Sequence, residues 1–242
     1  MAIAVDARSN GAQGSAATVT WSHTVAGSDR ILLVAASITG TTTATVSSVT
    51  FGAASFTQYA TVNLTTVGNG LGGPMRVYLF RLIAPATGTD TITVNCSYGG
   101  TGYAMGSSIS LTGVDQTTPF NAAGPHTQNT TNAQPSVVVT SAADEWCIAA
   151  FSAVSNPDPT PVAGAGQTTI GDRYQSPSNI FMQHLFTDED AGGSPVTLDY
   201  TSVNTDPAWG IGGIGASLMP AGGAVTLAGS KVGQRSKFRG KF

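Results

Sequence analysis

The sequence predicts an all-β protein made of antiparallel sheets, and three observations support this prediction. Charged residues make up only 10% of the 242 residues, well below the ~25% of typical soluble domains. Threonine, valine, serine, alanine and glycine dominate, with 30 glycines, and this composition suits pleated strands joined by tight turns. Finally, no long stretch of the chain carries an apolar stripe at the 3.6-residue period of a helix.

Strand-like segments recur at intervals of about ten residues in the first half of the chain. They are Ala17–His23, Arg30–Ile38, Val46–Phe51, Met75–Leu82, Asp90–Cys96 and Ala104–Leu111. Turn sequences separate them, namely Ala26–Asp29, Gly68–Gly70, Gly72–Pro74, Pro85–Gly88 and Gly99–Gly100. Many short strands with turns at this spacing are typical of a sandwich or a barrel.

The second half of the chain repeats the order of these features. Ser136–Thr140 matches Thr18–His23, Glu145–Val154 matches Arg30–Ile38, Ile180–Phe186 matches Met75–Leu82, Pro195–Leu198 matches Thr91–Val94, and Ile211–Leu218 matches Met105–Leu111. A repeat of this length indicates tandem copies of one domain-sized unit, and chance similarity among Thr/Val/Gly-rich strands is the alternative. We predict a first sandwich at residues 1–120, a second at 121–222 that begins with a linker at Pro125–Pro135, and an arm at 223–242.

Four segments carry a resemblance to a known family: Ser28–Ser37 (SDRILLVAAS), Val49–Gly52 (VTFG), Arg81–Val94 (RLIAPATGTDTITV) and Leu111–Phe120 (LTGVDQTTPF). In these segments the chain resembles tandem jelly-roll-like β-sandwich proteins that are common in bacterial genomes and among the virion genes of tailed phages. The resemblance covers about residues 14–220 and implies two jelly-roll-like antiparallel sandwiches. It indicates function poorly, because such sandwiches serve as carbohydrate binders, fibre modules and capsid decorations alike.

The last fourteen residues, Gly229–Phe242, differ sharply in charge from the rest of the chain. They hold five of the ten basic residues and none of the thirteen acidic ones. Residues 1–228 therefore keep five arginines against thirteen acids and carry a net charge of −8, whereas the end of the chain carries +5. Charge segregated in this way usually indicates a partner surface, and the resemblance implies nothing about this segment.

The basic arm is the strongest candidate binding element in the sequence. Its residues of interest are Lys231, Arg235, Lys237, Phe238, Arg239, Lys241 and Phe242. Cations interleaved with aromatic rings pair with carboxylates or phosphates while each ring fills an apolar pocket. Nucleic acid is one possible target, but the acidic remainder of the chain would repel a polyanion, so an acidic protein surface is the better match. A disordered solubilising tail is the simpler alternative.

Motifs for enzymatic chemistry and for metal binding are absent from the sequence. It contains no phosphate-binding loop, no Gly-x-Ser-x-Gly and no His-Glu-x-x-His, so we expect neither an enzyme nor a cofactor. His23 and His184 lie in strand-like segments, where a structural role is expected, and Cys96 and Cys147 are expected to be buried thiols. The three adjacent acids Asp188–Asp190 suggest a solvated turn, with a Ca²⁺ loop as the alternative.

The three tryptophans are the remaining candidates for ligand contact, because an aromatic face can stack on a sugar ring. Trp21 and Trp146 alternate with polar neighbours inside predicted strands, which indicates core packing. Trp209 follows Asp206 and Pro207 at a predicted loop edge. It is therefore the best single candidate for a glycan contact.

These observations together favour a non-enzymatic structural protein of a tailed-phage virion. The preferred role is a capsid cement or decoration protein that is anchored by the arm to capsid or other virion subunits, forms a homo-oligomer, and is assembled in the host cytoplasm. The sequence shows no signal peptide and no apolar run of membrane-spanning length. The alternatives are a tail, baseplate or fibre module that contacts host glycans, and a carbohydrate-binding module.

Overall fold

The fold was analysed in a computed structural model of the chain. The structure describes residues 2–40, 43–64, 75–130, 135–155, 162–175, 181–201 and 210–222. These residues form strands and turns, and no helix occurs among them. The prediction of an all-β protein built from antiparallel sandwiches is confirmed.

Seventeen strands make up this part of the chain. The first nine are β1 (Ala4–Gly14), β2 (Thr18–Val25), β3 (Ile31–Gly40), β4 (Ala44–Phe51), β5 (Ala54–Ser55), β6 (Thr57–Leu64), β7 (Met75–Ile83), β8 (Gly88–Tyr98) and β9 (Gly102–Thr112). The other eight are β10 (His126–Thr130), β11 (Ser136–Val139), β12 (Trp146–Ser155), β13 (Val162–Ala163), β14 (Thr168–Gln175), β15 (Phe181–Asp190), β16 (Val196–Thr201) and β17 (Gly210–Leu218).

The strands form four antiparallel sheets. Sheet I has the order β2-β8-β4-β5, sheet II β1-β9-β3-β7-β6, sheet III β10-β17-β12-β15-β14 and sheet IV β11-β16-β13. Three apolar clusters join them face to face: one lies between sheets I and II, the largest between sheets II and III, and the third between sheets III and IV. The protein is therefore a stack of four layers in the order I, II, III and IV.

Sheets II and III are covered on both faces, and this explains the apolar runs in their central strands. Along β3, Leu33 and Ala35 face sheet III, whereas Leu32 and Val34 face sheet I. All ten residues of β3 are buried as a result. A strand buried on both sides reads as a continuous apolar run rather than as an alternating one.

The pair of sheets I and II has the same strand order as the pair of sheets IV and III. Sheet III matches sheet II strand by strand, with β10, β17, β12, β15 and β14 corresponding to β1, β9, β3, β7 and β6. Sheet IV matches sheet I in the same way, with β11, β16 and β13 corresponding to β2, β8 and β4. Even a bulge recurs, because Tyr59 in β6 and Ile170 in β14 are the extra residues at corresponding places. Every segment pair that the sequence repeat predicts falls on corresponding strands, while the unit boundaries at 120 and 222 remain predictions.

The central strands β9 and β17 carry small residues where their neighbours come close. A Cβ atom built at Gly106 would lie 2.6 Å from the Trp21 ring, and one at Gly213 would lie 2.5 Å from the Phe151 ring. A Cβ atom at Gly215 would lie 2.6 Å from the Val139 side chain. At Gly106 and Gly215 the close side chain belongs to the adjacent layer, and at Gly213 it belongs to the neighbouring strand β12 of the same sheet. These glycines therefore allow bulky side chains to pack directly on the backbone.

Two sequence expectations differ from the structure. The predicted linker Pro125–Pro135 contains strand β10, which pairs along its length with β17. The strands β1, β6, β10 and β14 were not predicted, and all four are edge strands of sheets II and III. Strands β1 and β14 contain Asp, Arg, Asn or Gly, which are residues depleted in strands, so their sequences give little strand signal.

Replacing Phe186 by alanine should test whether the layers unfold as one unit. Phe186 is fully buried between sheets II and III, so the Phe186→Ala change should lower the free energy of unfolding by about 3–5 kcal/mol. Because both pairs of sheets share this core, chemical denaturation should still show a single transition. The exposed Val138 provides the control, since Val138→Ala should change the free energy by no more than about 0.5 kcal/mol. Two separate transitions in either protein would contradict the shared core.

Candidate functional site

The binding residues predicted from the sequence lie outside the described residues. This holds for Lys231, Arg235, Lys237, Phe238, Arg239, Lys241 and Phe242 of the arm, and also for Trp209. Their predicted roles therefore remain predictions. The described residues show what surrounds the point where the arm begins and which polar groups the four layers hold.

Trp21 and Trp146 are packing residues, as the sequence predicts. Trp21 is buried between sheets I and II, and its Nε1 donates a hydrogen bond to Ser108 Oγ at 2.9 Å. Trp146 packs against the core between sheets II and III, and its Nε1 donates to Asp188 Oδ2 at 3.1 Å. Cys96 and Cys147 are buried free thiols, which also confirms their predicted role.

His23 is the centre of a polar network between sheets I and II. Its Nδ1 lies 2.8 Å from Ser9 Oγ and 2.9 Å from Ser108 Oγ. Its Nε2 lies 3.0 Å from Ser110 Oγ, which in turn donates to Asp6 Oδ2 at 2.7 Å. Both ring nitrogens are therefore satisfied although the side chain is almost completely buried.

The hydrogen bonds of this network fix the tautomer of His23. Ser110 has one hydroxyl proton and donates it to the Asp6 carboxylate, so Ser110 Oγ must accept from Nε2 of His23. The proton of His23 is therefore on Nε2, and Nδ1 accepts from Ser9 or Ser108. Burial lowers the pKa of His23 to about 4, although the negative charge of Asp6 has a smaller effect in the opposite direction. The imidazole is therefore neutral near neutral pH.

His184 occupies the corresponding role between sheets II and III. Its Nδ1 lies 2.7 Å from Ser37 Oγ and its Nε2 lies 2.8 Å from Ser107 Oγ. The side chain is fully buried, and burial, with a smaller effect of the Arg173 charge, lowers its pKa to about 3. The distances from the His184 ring nitrogens to the serine Oγ atoms match those of a serine activated by a histidine. Neither His23 nor His184 is accessible to solvent, however. The structural role predicted for both histidines is therefore confirmed.

Strand β9 supplies most of these hydroxyl groups. Ser107 points toward sheet III and contacts His184, whereas Ser108 and Ser110 point toward sheet I and contact His23. Sequence reasoning did not identify these serines. The signal was present, because three serines within a strand of otherwise buried residues need polar partners.

The acidic residues Asp188–Asp190 do not form the solvated turn that the sequence suggested. They end strand β15, and Asp188 is buried, with 1% of its side chain exposed. The Arg8 guanidinium donates from Nε to Asp188 Oδ1 at 2.7 Å and from its terminal nitrogen to Oδ2 at 2.6 Å. This bidentate pair joins sheet II to sheet III, so the expectation of a solvated turn is wrong for Asp188.

The five arginines of the described chain are all held by internal contacts. Arg8 pairs with Asp188, and the other four bind backbone carbonyls or aromatic rings rather than carboxylates. Their partners are Pro85 and Gly27 for Arg30, Ala44 for Arg76, the rings of Tyr59 and Phe120 for Arg81, and Asn10 and Gly11 for Arg173. Within the described ranges the Arg8–Asp188 contact is the one ion pair. Most carboxylates are therefore left without a cation.

Several acidic residues lie at one end of the stack, and the described chain also ends there, at Gly222. Asp144 precedes β12 and Asp190 ends β15 at this end, where β12 pairs with β15 and β17. Asp115 lies in the turn after β9, and its backbone amide donates to Met219 O at 2.9 Å. The backbone amide of Ala221 donates to Gly113 O nearby at 2.7 Å. We call this region the acidic end.

Comparison with protein-family models, with curated proteins and with solved structures finds no match for this chain. Among the described residues no group of three or more histidine, cysteine or acidic side chains is arranged to hold a metal ion. The same part of the chain contains no helix with the length and apolar character needed to cross a membrane. The geometry of the chain itself must therefore support any functional proposal.

The buried histidines should make stability depend on pH. The unfolded chain has histidine pKa values of about 6.5, whereas burial lowers the folded values to about 4 for His23 and about 3 for His184. Below about pH 6.5 the unfolded state binds more protons, so the free energy of unfolding is fully retained above that pH and falls as the pH drops. Each histidine contributes a slope of at most about 1.4 kcal/mol per pH unit.

Urea denaturation across this pH range would measure the effect. His184→Gln should flatten the slope between about pH 6 and pH 4, even if it lowers stability at neutral pH. A slope that is the same in wild type and His184→Gln would contradict the assignment.

Breaking the Arg8–Asp188 pair should be more harmful than removing it entirely. Asp188→Leu leaves the Arg8 guanidinium and Trp146 Nε1 without their acceptor, so the free energy of unfolding should fall by about 3 kcal/mol. The double variant Arg8→Leu/Asp188→Leu should recover part of that loss, because no unpaired charge remains. A double variant less stable than Asp188→Leu in chemical denaturation would contradict this expectation, because it would show that Arg8 stabilises the fold through contacts other than Asp188.

Proposed function

We propose that this protein is a non-enzymatic structural component of a tailed-phage virion, most specifically a cement or decoration protein on the capsid. Two repeated β-sandwich units, residues 1–222, form its body. The arm, through the basic and aromatic residues of Gly229–Phe242, binds capsid or neighbouring virion subunits. The resemblance of the strand and turn segments to virion sandwich proteins supports this proposal.

The use of charge in the body carries the proposal. All five arginines of the body bind internal groups, whereas Asp90, Asp144 and Asp190 are exposed carboxylates. The other five lysine and arginine residues of the chain all lie in the arm, within its last fourteen residues. Opposite charges on two parts of one chain favour complementary contacts between subunits and steer their association.

The position of Gly222, the last described residue, supports the same function. Gly222 lies at the acidic end, and twenty residues follow it in the sequence. An extended chain of that length spans about 65–70 Å, enough to reach across a neighbouring subunit. Several such arms in one assembly would bind more tightly than a single arm, because each attached arm raises the effective concentration of the next.

The body is suited to act as a rigid building block. The large cluster between sheets II and III buries residues of both sandwiches, including Leu79, Phe186 and Ile214. An apolar core that both sandwiches share between sheets II and III resists independent movement of the two units. A rigid body combined with a charged arm is the arrangement that a clamp between capsid subunits requires.

Removing the arm tests the proposal. Deletion of Gly229–Phe242 should leave a folded, soluble body and abolish incorporation into particles, as measured by the amount of protein that co-sediments with purified virions. Replacing the five basic residues by glutamine should have nearly the same effect, since it removes the charge contacts. Replacing Phe238 and Phe242 by serine isolates the contribution of the rings.

A scrambled arm with the same composition serves as the matched control. Its failure to support incorporation would show that the order of the residues matters, in addition to their charge. Unchanged incorporation of the deletion variant would refute anchoring by the arm. A circular dichroism spectrum identical to that of the wild type is required of each variant, so that a folding defect cannot imitate the loss of anchoring.

A further inference from the structure

The outer face of sheet IV differs from the outer face of sheet I at corresponding positions. By strand register, the pair Thr20–Thr93 of sheet I corresponds to Val138–Thr197 of sheet IV, and Asn95 corresponds to Asp199. The other outward residues of β2 and β8 are hydroxyl-bearing or amide side chains. Sheet IV therefore has an apolar and an acidic residue where sheet I has neutral polar ones.

The apolar character of this face is unusual for the molecule. Val138 is 53% exposed and Val162 is 46% exposed, and they are the exposed large hydrophobic side chains among the described residues. Val138 belongs to β11 and Val162 to β13, so they lie on either side of β16. The two valines are separated along β16, because Val138 pairs with Thr197 and Val162 with Thr201, but both lie on the outer face of sheet IV. Exposed apolar side chains on one face can mark an interaction surface.

Carboxylates accompany these valines. Asp199 lies on β16 between them, and its Oδ1 accepts a hydrogen bond from Gln167 Nε2 at 2.8 Å. Glu189 stands at the rim, next to the turn that contains Gly166. Burial and the nearby charge of Asp199 both raise the pKa of Glu189. A cation bound here would relieve the repulsion between the two carboxylates.

The end of the arm has the complementary pattern. Lys237, Arg239 and Lys241 alternate with Phe238, Gly240 and Phe242. Successive side chains of an extended segment point to opposite sides, so the three cations would share one side and the two phenylalanines the other. When the rings face the exposed valines, the long lysine and arginine side chains of the other side can bend back along the segment to the carboxylates around the valines.

We infer that the outer face of sheet IV, formed by Val138, Val162, Thr197 and Asp199 with Glu189 at its rim, is the docking surface for the C-terminal segment, residues 231–242, of a second copy of this chain. This inference uses the proposed function only in taking the arm as the binding segment. The inference adds that copies are linked head to tail, with the arm of one copy bound to sheet IV of the next. A contact of this kind joins different surfaces of successive copies and produces a ring or a chain of subunits.

A lysine placed on the docking surface tests the inference in the full-length protein. Thr197→Lys puts a cation beside Val138 and Asp199 and should weaken self-association at least about tenfold, as measured by sedimentation equilibrium at low salt. Thr93→Lys is the matched control at the corresponding position of sheet I and should leave association unchanged. High salt should weaken association of the wild type, because the contact depends on charge.

Charge reversal in the arm provides the rescue. The triple change Lys237→Glu, Arg239→Glu and Lys241→Glu should weaken association by itself, and combining it with Thr197→Lys should restore most of the loss. A wild type that stays monomeric at all concentrations, equal effects of Thr197→Lys and Thr93→Lys, or no rescue would each overturn the inference. If Thr197→Lys weakens association while particles still incorporate it, anchoring to the capsid and linking of copies are separate contacts. If the variant that lacks Gly229–Phe242 is incorporated normally into particles while Thr197→Lys lowers self-association, the inference that copies are linked holds and the anchoring proposal fails.

Discussion

The covering of sheets II and III on both faces is the constraint on which the rest of the structure depends. A sheet with one solvated face can place its polar side chains in water, but these two sheets cannot. Most polar groups that their central strands bury must therefore find a partner within the stack. The serines of β9 and the two histidines show this most clearly, because hydroxyl groups on opposite faces of one strand satisfy one imidazole in each direction.

The same constraint explains the treatment of charge. The arginines on or beside the central sheets bind carbonyls, rings or, for Arg8, a buried carboxylate. The acids are placed mainly in turns and at strand ends, where Asp115 accepts hydrogen bonds from the backbone of its own turn. Folding thus uses the positive charge of the body in internal contacts and leaves most carboxylates of the described residues without a cation.

The sequence allowed the fold class and the interior strands to be predicted, because these strands combine β-branched residues with clear turns. It did not reveal the edge strands β1, β6, β10 and β14, since an edge strand tolerates polar residues and glycine and is defined by its neighbour. The stacking of the two sandwiches through sheets II and III was also beyond prediction. A run such as Ile31–Ile38 indicates burial on both sides, but it does not say which sheet provides the second cover.

The site was predictable only in part, for similar physical reasons. The structural roles of His23, His184, Trp21 and Trp146 follow from their places inside strands. The burial of Asp188 does not, because an acid at the end of a polar run suggests solvent until its partner, 180 residues away, is known. The exposed valines of sheet IV could not be identified as a possible binding surface from the sequence either, because this requires comparison with the neutral residues at corresponding positions of sheet I.

The small residues of β9 and β17 have a consequence for how the protein can change over evolutionary time. Gly106 and Gly215, which face the Trp21 ring and Val139 of the next layer, leave no room for a methyl group. A larger residue at either position would therefore push two layers apart. The larger side chains of the surrounding strands can exchange volume with each other, as apolar cores generally permit. Divergent descendants of the same ancestor should therefore conserve the small residues of β9 and β17 longer than the large apolar residues of the other strands. Common ancestry would then be most visible at these glycines.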